Sequence, residues 1–192
     1  MKTPIAIIAL CFCAALSYAK TGDDADITST VEMTRGPKSK ADAAKALRTL
    51  EDYEPHVAKS KNPQIKNEYW NQRIWKAKEA DPTTSALAVV NQALASVTTP
   101  SQSLLAHSAR ESCRAGLHEA AAQSALAILG ADENVSEKTM KMITQYIDVS
   151  KIKPETRAKL RAAIIARKRI DDGQTLELML WQRLNAAEKV KP

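Results

Sequence analysis

Residues 81–130 read DPTTSALAVVNQALASVTTPSQSLLAHSARESCRAGLHEAAAQSALAILG, and the apolar residues in this stretch recur at helical spacing. Leu87, Val90, Leu94 and Val97 fall on one helical face. Asp81-Pro82 and Thr99-Pro100 each set a capping side chain before a proline, which suits a first helical turn because proline has no N–H to leave unpaired there. Gly116 and Gly130 stand where a left-handed residue ends a helix. Leu117 to Leu129 is dominated by alanine, whose small side chain lets helix axes approach closely, so a central position is expected for it.

The same punctuation extends in both directions. Asn62-Pro63 marks another start, Ser39 with Asp42 and Ser136 with Thr139 supply capping hydroxyls at two more, and Gly173 marks another stop. Met140, Ile143 and Ile147 share a face, as do Leu176, Leu180 and Leu184. The spacing predicts helices over 40–53, 63–80, 82–97, 101–115, 117–129, 136–149, 154–171 and 174–189. The expected fold is all-α: about seven to eight helices in stacked antiparallel pairs, a short solenoid-like array or bundle, forming one domain over 39–192.

An internal period tests the array. At an offset of 34, Ala86, Ala93 and Leu94 recur as Ala120, Ala127 and Ile128, in what would be the second helix of each pair. With Trp70 in the place of a first-helix aromatic, residues 67–134 resemble the tetratricopeptide repeat. Arg73-Ile74 and His107-Ser108 stand where that family has Leu-Gly. The resemblance implies a right-handed stack of helix pairs whose concave face grips a peptide or protein partner, and it implies no chemistry.

Composition bounds the rest. A chain of 192 residues, 44% apolar and 4% aromatic, buries a core without disulfide staples. Its five glycines and eight prolines exclude fibrous and low-complexity classes. The N-terminal MKTPIAIIALCFCAALSYA, with Lys2, an apolar stretch from Ile5 to Leu16 and small residues at Ser17 and Ala19, reads as a secretory signal cleaved after residue 19. Bulky Leu10 and Phe12 before Cys11 and Cys13 argue against lipidation. Cleavage leaves Cys113 as the single thiol, buried as a small hydrophobe or paired with another chain. No run after the signal is long enough to cross a membrane. Residues 20–38 show no apolar period and read as a flexible leader, with Ile27 and Val31 able to dock on the body.

His107, Glu111, Cys113, His118 and Glu119 form the densest reactive cluster. His107 and Glu111 share a helical face, but the motif begun by His118-Glu119 has alanine at 122 where a second histidine ligand belongs, so no metal is expected. Arg110 and Arg114 near Cys113 could lower its thiol pKa, with His107 or His118 as base, but no glycine-rich turn offers an oxyanion hole and the cysteine reads as packing. Phosphate-binding loops are absent from the sequence, and no catalytic residue and no cofactor are expected.

Charge is asymmetric: of the formal net +6, nearly all lies in residues 151–192, which hold eleven basic and five acidic residues. Arg157, Lys159, Arg161, Arg167, Lys168 and Arg169 crowd one helix. The bland account is a solvated surface; the functional one is contact with an anionic polymer or membrane surface through Arg157, Arg161 and Lys168. The scarcity of aromatics argues against nucleic acid. Trp70 and Trp75 lie on a helix with more apolar width than one packing face needs, so one of them is expected to anchor a partner. The resulting expectation is an exported, periplasmic or secreted, non-enzymatic helical scaffold that contacts a protein or peptide. The alternative is an envelope-associated protein using its basic C-terminal helices.

Overall fold

The computed structural model describes residues 23–36, 39–83, 85–131, 135–167 and 176–189. The expected signal peptide, Cys11, Cys13, Lys168, Arg169 and Gly173 lie outside them. Among the described residues the chain is all-α, with nine helices and no strand: α1 (Asp24–Thr34), α2 (Lys40–Lys59), α3 (Pro63–Ala80), α4 (Leu87–Ser96), α5 (Gln102–Arg114), α6 (His118–Ala131), α7 (Glu137–Tyr146), α8 (Pro154–Ala166) and α9 (Leu176–Lys189). A 3-10 turn at Val149–Lys151 precedes α8. No described helix is long and apolar enough to cross a membrane.

Most starts follow the predicted capping chemistry. Ser39 Oγ accepts from the Asp42 amide at 3.2 Å, Asn62 Oδ1 from the Gln64 and Ile65 amides at 3.0 and 3.4 Å, and Ser136 Oγ from the Thr139 amide at 3.2 Å. Each satisfies amides that the first turn leaves without an intrahelical partner. Gly116, at φ +75°, closes α5: Leu117 N–H donates to Ser112 C=O at 2.8 Å and Gly116 N–H to Cys113 C=O at 3.0 Å, the paired bonds of a Schellman ending.

Several boundaries differ from expectation. Asp81-Pro82 does not start a helix. Asp81 instead ends α3, and its carboxylate accepts from the Thr83 amide and hydroxyl at 3.0 and 2.6 Å, a local Asx-type turn that delays α4 to Leu87. At Thr99-Pro100 the cap is Ser101, whose Oγ takes the Leu104 amide at 3.2 Å. Gly130 lies inside α6. α2 continues past 53, through Pro55 to Lys59, because Tyr53 and Val57 bury on one face across the proline and packing offsets the missing hydrogen bond.

The expected leader is the largest correction. Residues 24–34 fold as α1, capped by Asp23, and Ile27 and Val31 are 1% and 2% exposed in a cluster with Tyr69 and Trp70. Threonine and serine disfavour the helix locally, and tertiary bonds hold it. Ser60 Oγ donates to Asp24 Oδ1 at 2.6 Å, Gln72 Nε2 to Thr34 C=O at 2.7 Å and Lys76 Nζ to Gly36 C=O at 2.6 Å.

The helices stack in layers: α1, α3, α5, α7 and α9 touch in succession, with α6 against α8 in the layer behind. Burial repeats every 35 residues across three helix pairs. In α3, α5 and α7 the buried sets are Tyr69, Trp70, Arg73 and Ile74, then Leu104, Leu105, Ser108 and Ala109, then Thr139, Met140, Ile143 and Thr144. Along α4 and the residue before it, α6 and α8, Ala86, Ala121 and Thr156 correspond, as do Val90, Ala125 and Leu160. The 34-residue alignment instead pairs buried Ala86 and Ala93 with exposed Ala120 and Ala127. Alanine identity drew that register one residue away from the one that burial sets.

Two apolar clusters meet at α5. Leu104 belongs to the N-terminal one and its neighbour Leu105 to the C-terminal one.

Candidate binding groove

A groove of about 770 Å³ runs along the α3–α5 seam, walled by α1 and the start of α7. Glu68, Asn71, Gln72 and Trp75 line it from α3, and Gln102, Ser103, Ala106, His107 and Arg110 from α5. Both sets follow the i, i+4, i+7 rhythm of a single helical face. They are also related by the 35-residue step, which carries Glu68 to Ser103, Gln72 to His107 and Trp75 to Arg110. A second hollow of about 500 Å³ shares Glu68, Asn71 and Ser103 and continues the groove to Pro63. From Pro63 to Trp75 the helix rises roughly 18 Å.

Most charged groups on the groove are paired. Arg35 Nη2 lies 3.1 Å from Glu32 and 3.8 Å from Glu68, and the Gln72 amide is occupied at Thr34. Arg110 differs. Its guanidinium lies over the ring of exposed Tyr146, 5.9 Å from the centroid, its Nε is buried without an acceptor, and no described carboxylate forms an ion pair with it. Asn71 donates to Ser101 Oγ at 3.3 Å, while its Oδ1 is buried without a donor.

The two tryptophans of α3 separate. Trp70 is 2% exposed, edge-on to Tyr69 at 5.2 Å with Arg73 4.9 Å above its ring, so it is core. Trp75 is 49% exposed on the groove, its Nε1 donating to Glu79 Oε1 at 2.8 Å. Trp181 is partly buried against the C-terminal cluster. Of the basic residues, Arg157 donates to Val149 C=O at 3.4 Å and Arg161 to Asn185 Oδ1 at 3.1 Å, so both guanidinium groups turn back onto the fold.

The reactive cluster is dispersed, and its carboxylates cap helices belonging to other segments. Glu111, fully buried, accepts from Lys78 Nζ at 2.6 Å and from the Ala86 amide at 3.2 Å, which completes the start of α4. Burial pushes its carboxyl up, but the hydrogen bond and charge of Lys78, the Ala86 amide and Arg114 outweigh that and hold it below the usual carboxylate range. Glu119 accepts from the Thr156 hydroxyl at 2.5 Å and the Lys153 amide at 2.9 Å, completing α8 and lowering its own pKa. His118 Nδ1 accepts from the Asp148 amide at 3.4 Å. Burial raises the Cys113 thiol to about 11, where the nucleophilic thiolate is scarce at neutral pH. His107 alone of the five lines the groove. No described residues form a group of three metal-ligating side chains.

Comparison with protein-family models, curated proteins and solved structures gives no match to this chain. The sequence singled out Arg110 only as a cation near Cys113 and did not single out Asn71. The 35-residue step from Trp75 leads to Arg110, but only burial reveals that step.

Proposed function

We propose that the chain is an exported, non-enzymatic scaffold that holds a protein or peptide partner in the α3–α5 groove. The observation that carries this reading is Trp75, half exposed in a groove lined by the faces of successive stacked helices. Large, partly exposed aromatics, tryptophan above all, are enriched among the residues that carry binding energy at interfaces. The residues 1–19 signal supports export. The absence of an enzymatic role is supported by the occupation of Glu111, Glu119 and His118 in helix capping and by the suppressed Cys113 thiol. The 35-residue step in burial, which relates the α3 and α5 faces of the groove, supports a stacked array with this groove on one layer. The alternative, an anionic polymer or lipid surface held by Arg157, Arg161 and Lys168, has less support because the first two donate to groups within the fold.

Peptide display tests the proposal. Random dodecapeptides are selected on the purified protein and counter-selected on Trp75→Asp. The expected result is a family of sequences whose affinity falls about tenfold or more in the variant. Failure to enrich any sequence, or equal binding to both proteins, overturns it.

A further inference from the structure

Trp75 and Arg110 occupy equivalent positions on adjacent helices of one layer and line the same groove. Packed helices stand about 8–10 Å apart, which sets the backbones at these two equivalent positions about that far apart, and a ligand crossing the seam meets an apolar platform and then a cation without a described carboxylate partner. Extended peptides match this separation in one geometry. A polyproline II helix has three residues per turn at about 3.1 Å each, which sets residues i and i+3 on one face about 9 Å apart. A β-strand turns i and i+3 to opposite faces. Such a segment also leaves its backbone groups unpaired and free to meet polar side chains along the groove. Arg110 supplies a fork suited to a carboxylate, and its place over Tyr146 holds that fork in position.

We propose that the groove takes a polyproline II segment in which an apolar or prolyl residue packs on Trp75 and an acidic residue three positions away pairs with Arg110. This rests on the groove being a peptide site, and it specifies the conformation, charge and spacing of the occupant.

The probes are fluorescein-labelled nonapeptides of proline and alanine carrying one leucine and one glutamate, read by fluorescence polarisation on the full protein. Spacings of two and three residues are compared in both chain orders, with glutamine and lysine replacing glutamate at the three-residue spacing. One order of the three-residue spacing is expected to bind about tenfold or more tightly than the two-residue spacing and than its glutamine and lysine counterparts. Arg110→Gln, checked for unchanged circular dichroism, is expected to erase the preference for glutamate over glutamine. Arg110→Lys is expected to keep part of it, and Arg48→Gln, an exposed change on α2, all of it. Equal binding of glutamate and glutamine peptides, or of both spacings, overturns the inference and leaves the groove as a peptide site. If display-selected peptides bind at Trp75 but none of this panel does, the inference also falls alone. If neither set binds, both proposals fall.

Discussion

On the N-terminal side of α5 the core is filled by Tyr53, Tyr69 and Trp70, and the buried residues beside it include the charged Arg73, Lys76 and Glu111. On the C-terminal side no ring is fully buried among the described residues: Ala121, Ala122 and Ala125 on α6 cluster with aliphatic side chains such as Ile128, Met140, Ile143, Leu160 and Leu180, and the buried polar residues there include Ser124, Thr139, Thr144 and Thr156. Bulky rings hold helix axes apart and leave edges that long side chains fill, and each buried charge then needs a partner. Arg73 meets Glu54 at 2.6 Å, Lys76 meets Glu79 at 2.6 Å, and Glu111 meets Lys78 at 2.6 Å. Alanine lets axes close up, and small hydroxyls suffice, as where Ser108 and Ser124 bond at 2.8 Å. One half is specified by paired charges, the other by closeness of fit.

The sharpest way to break this contrast is to exchange the materials. Trp70→Ala should cost about 3–5 kcal/mol in urea denaturation through the cavity it opens, whereas Ala125→Leu should cost about 1–3 kcal/mol through overpacking. Because Leu104 and Leu105 tie both clusters to α5, each variant should shift one common transition when fluorescence and circular dichroism are followed together. Two separated transitions would show the halves to be independent.

Glu111→Gln is expected to cost about 1–3 kcal/mol, since the amide retains an acceptor for Ala86 but leaves Lys78 without a counter-charge. Its folded pKa lies below the ordinary value, so its stabilisation is complete above the unfolded carboxyl value of about 4.3 and is lost as pH falls through the lower folded value. Stability measured from pH 6 to pH 2 should therefore fall less steeply in the glutamine variant. An unchanged slope would remove Glu111 from the acid response.

Glu119→Ala, its counterpart in the C-terminal half, removes a cap and should cost about 1 kcal/mol, with faster amide exchange at Lys153 as the local sign. The smallest effect belongs to Trp75→Ser, within about 0.5 kcal/mol on stability, together with loss of the display-selected peptides. A large destabilisation there would reassign Trp75 to the core.

The helical class, the caps at Ser39, Asn62 and Ser136, and the ending at Gly116 were legible because each depends on residues within one turn of chain. α1 was not. Its threonines carry no helical period, and what orders it lies on α2 and α3, in Ser60, Gln72 and Lys76. The start of α4 was misplaced because Asp81 closes a local turn with Thr83 instead of capping a helix, and the carboxylate that serves the observed start is Glu111 on α5. At the groove, the aromatic width of α3 pointed to one tryptophan facing outward, and burial decides between Trp70 and Trp75. Arg110 stood out in the sequence only as a neighbour of Cys113, because its significance in the groove lies in a missing partner, which only the packed structure can display.

The two carboxylate caps stand on opposite sides of the helices they complete. Glu111 lies 25 residues after Ala86, while Glu119 lies 34 residues before Lys153. A ribosome adds about 5–20 residues each second, so the start of α4 is made roughly one to five seconds before the carboxylate that finishes it. For α8 the order of synthesis is reversed, and the carboxylate that receives its first turn is already made when that turn is added.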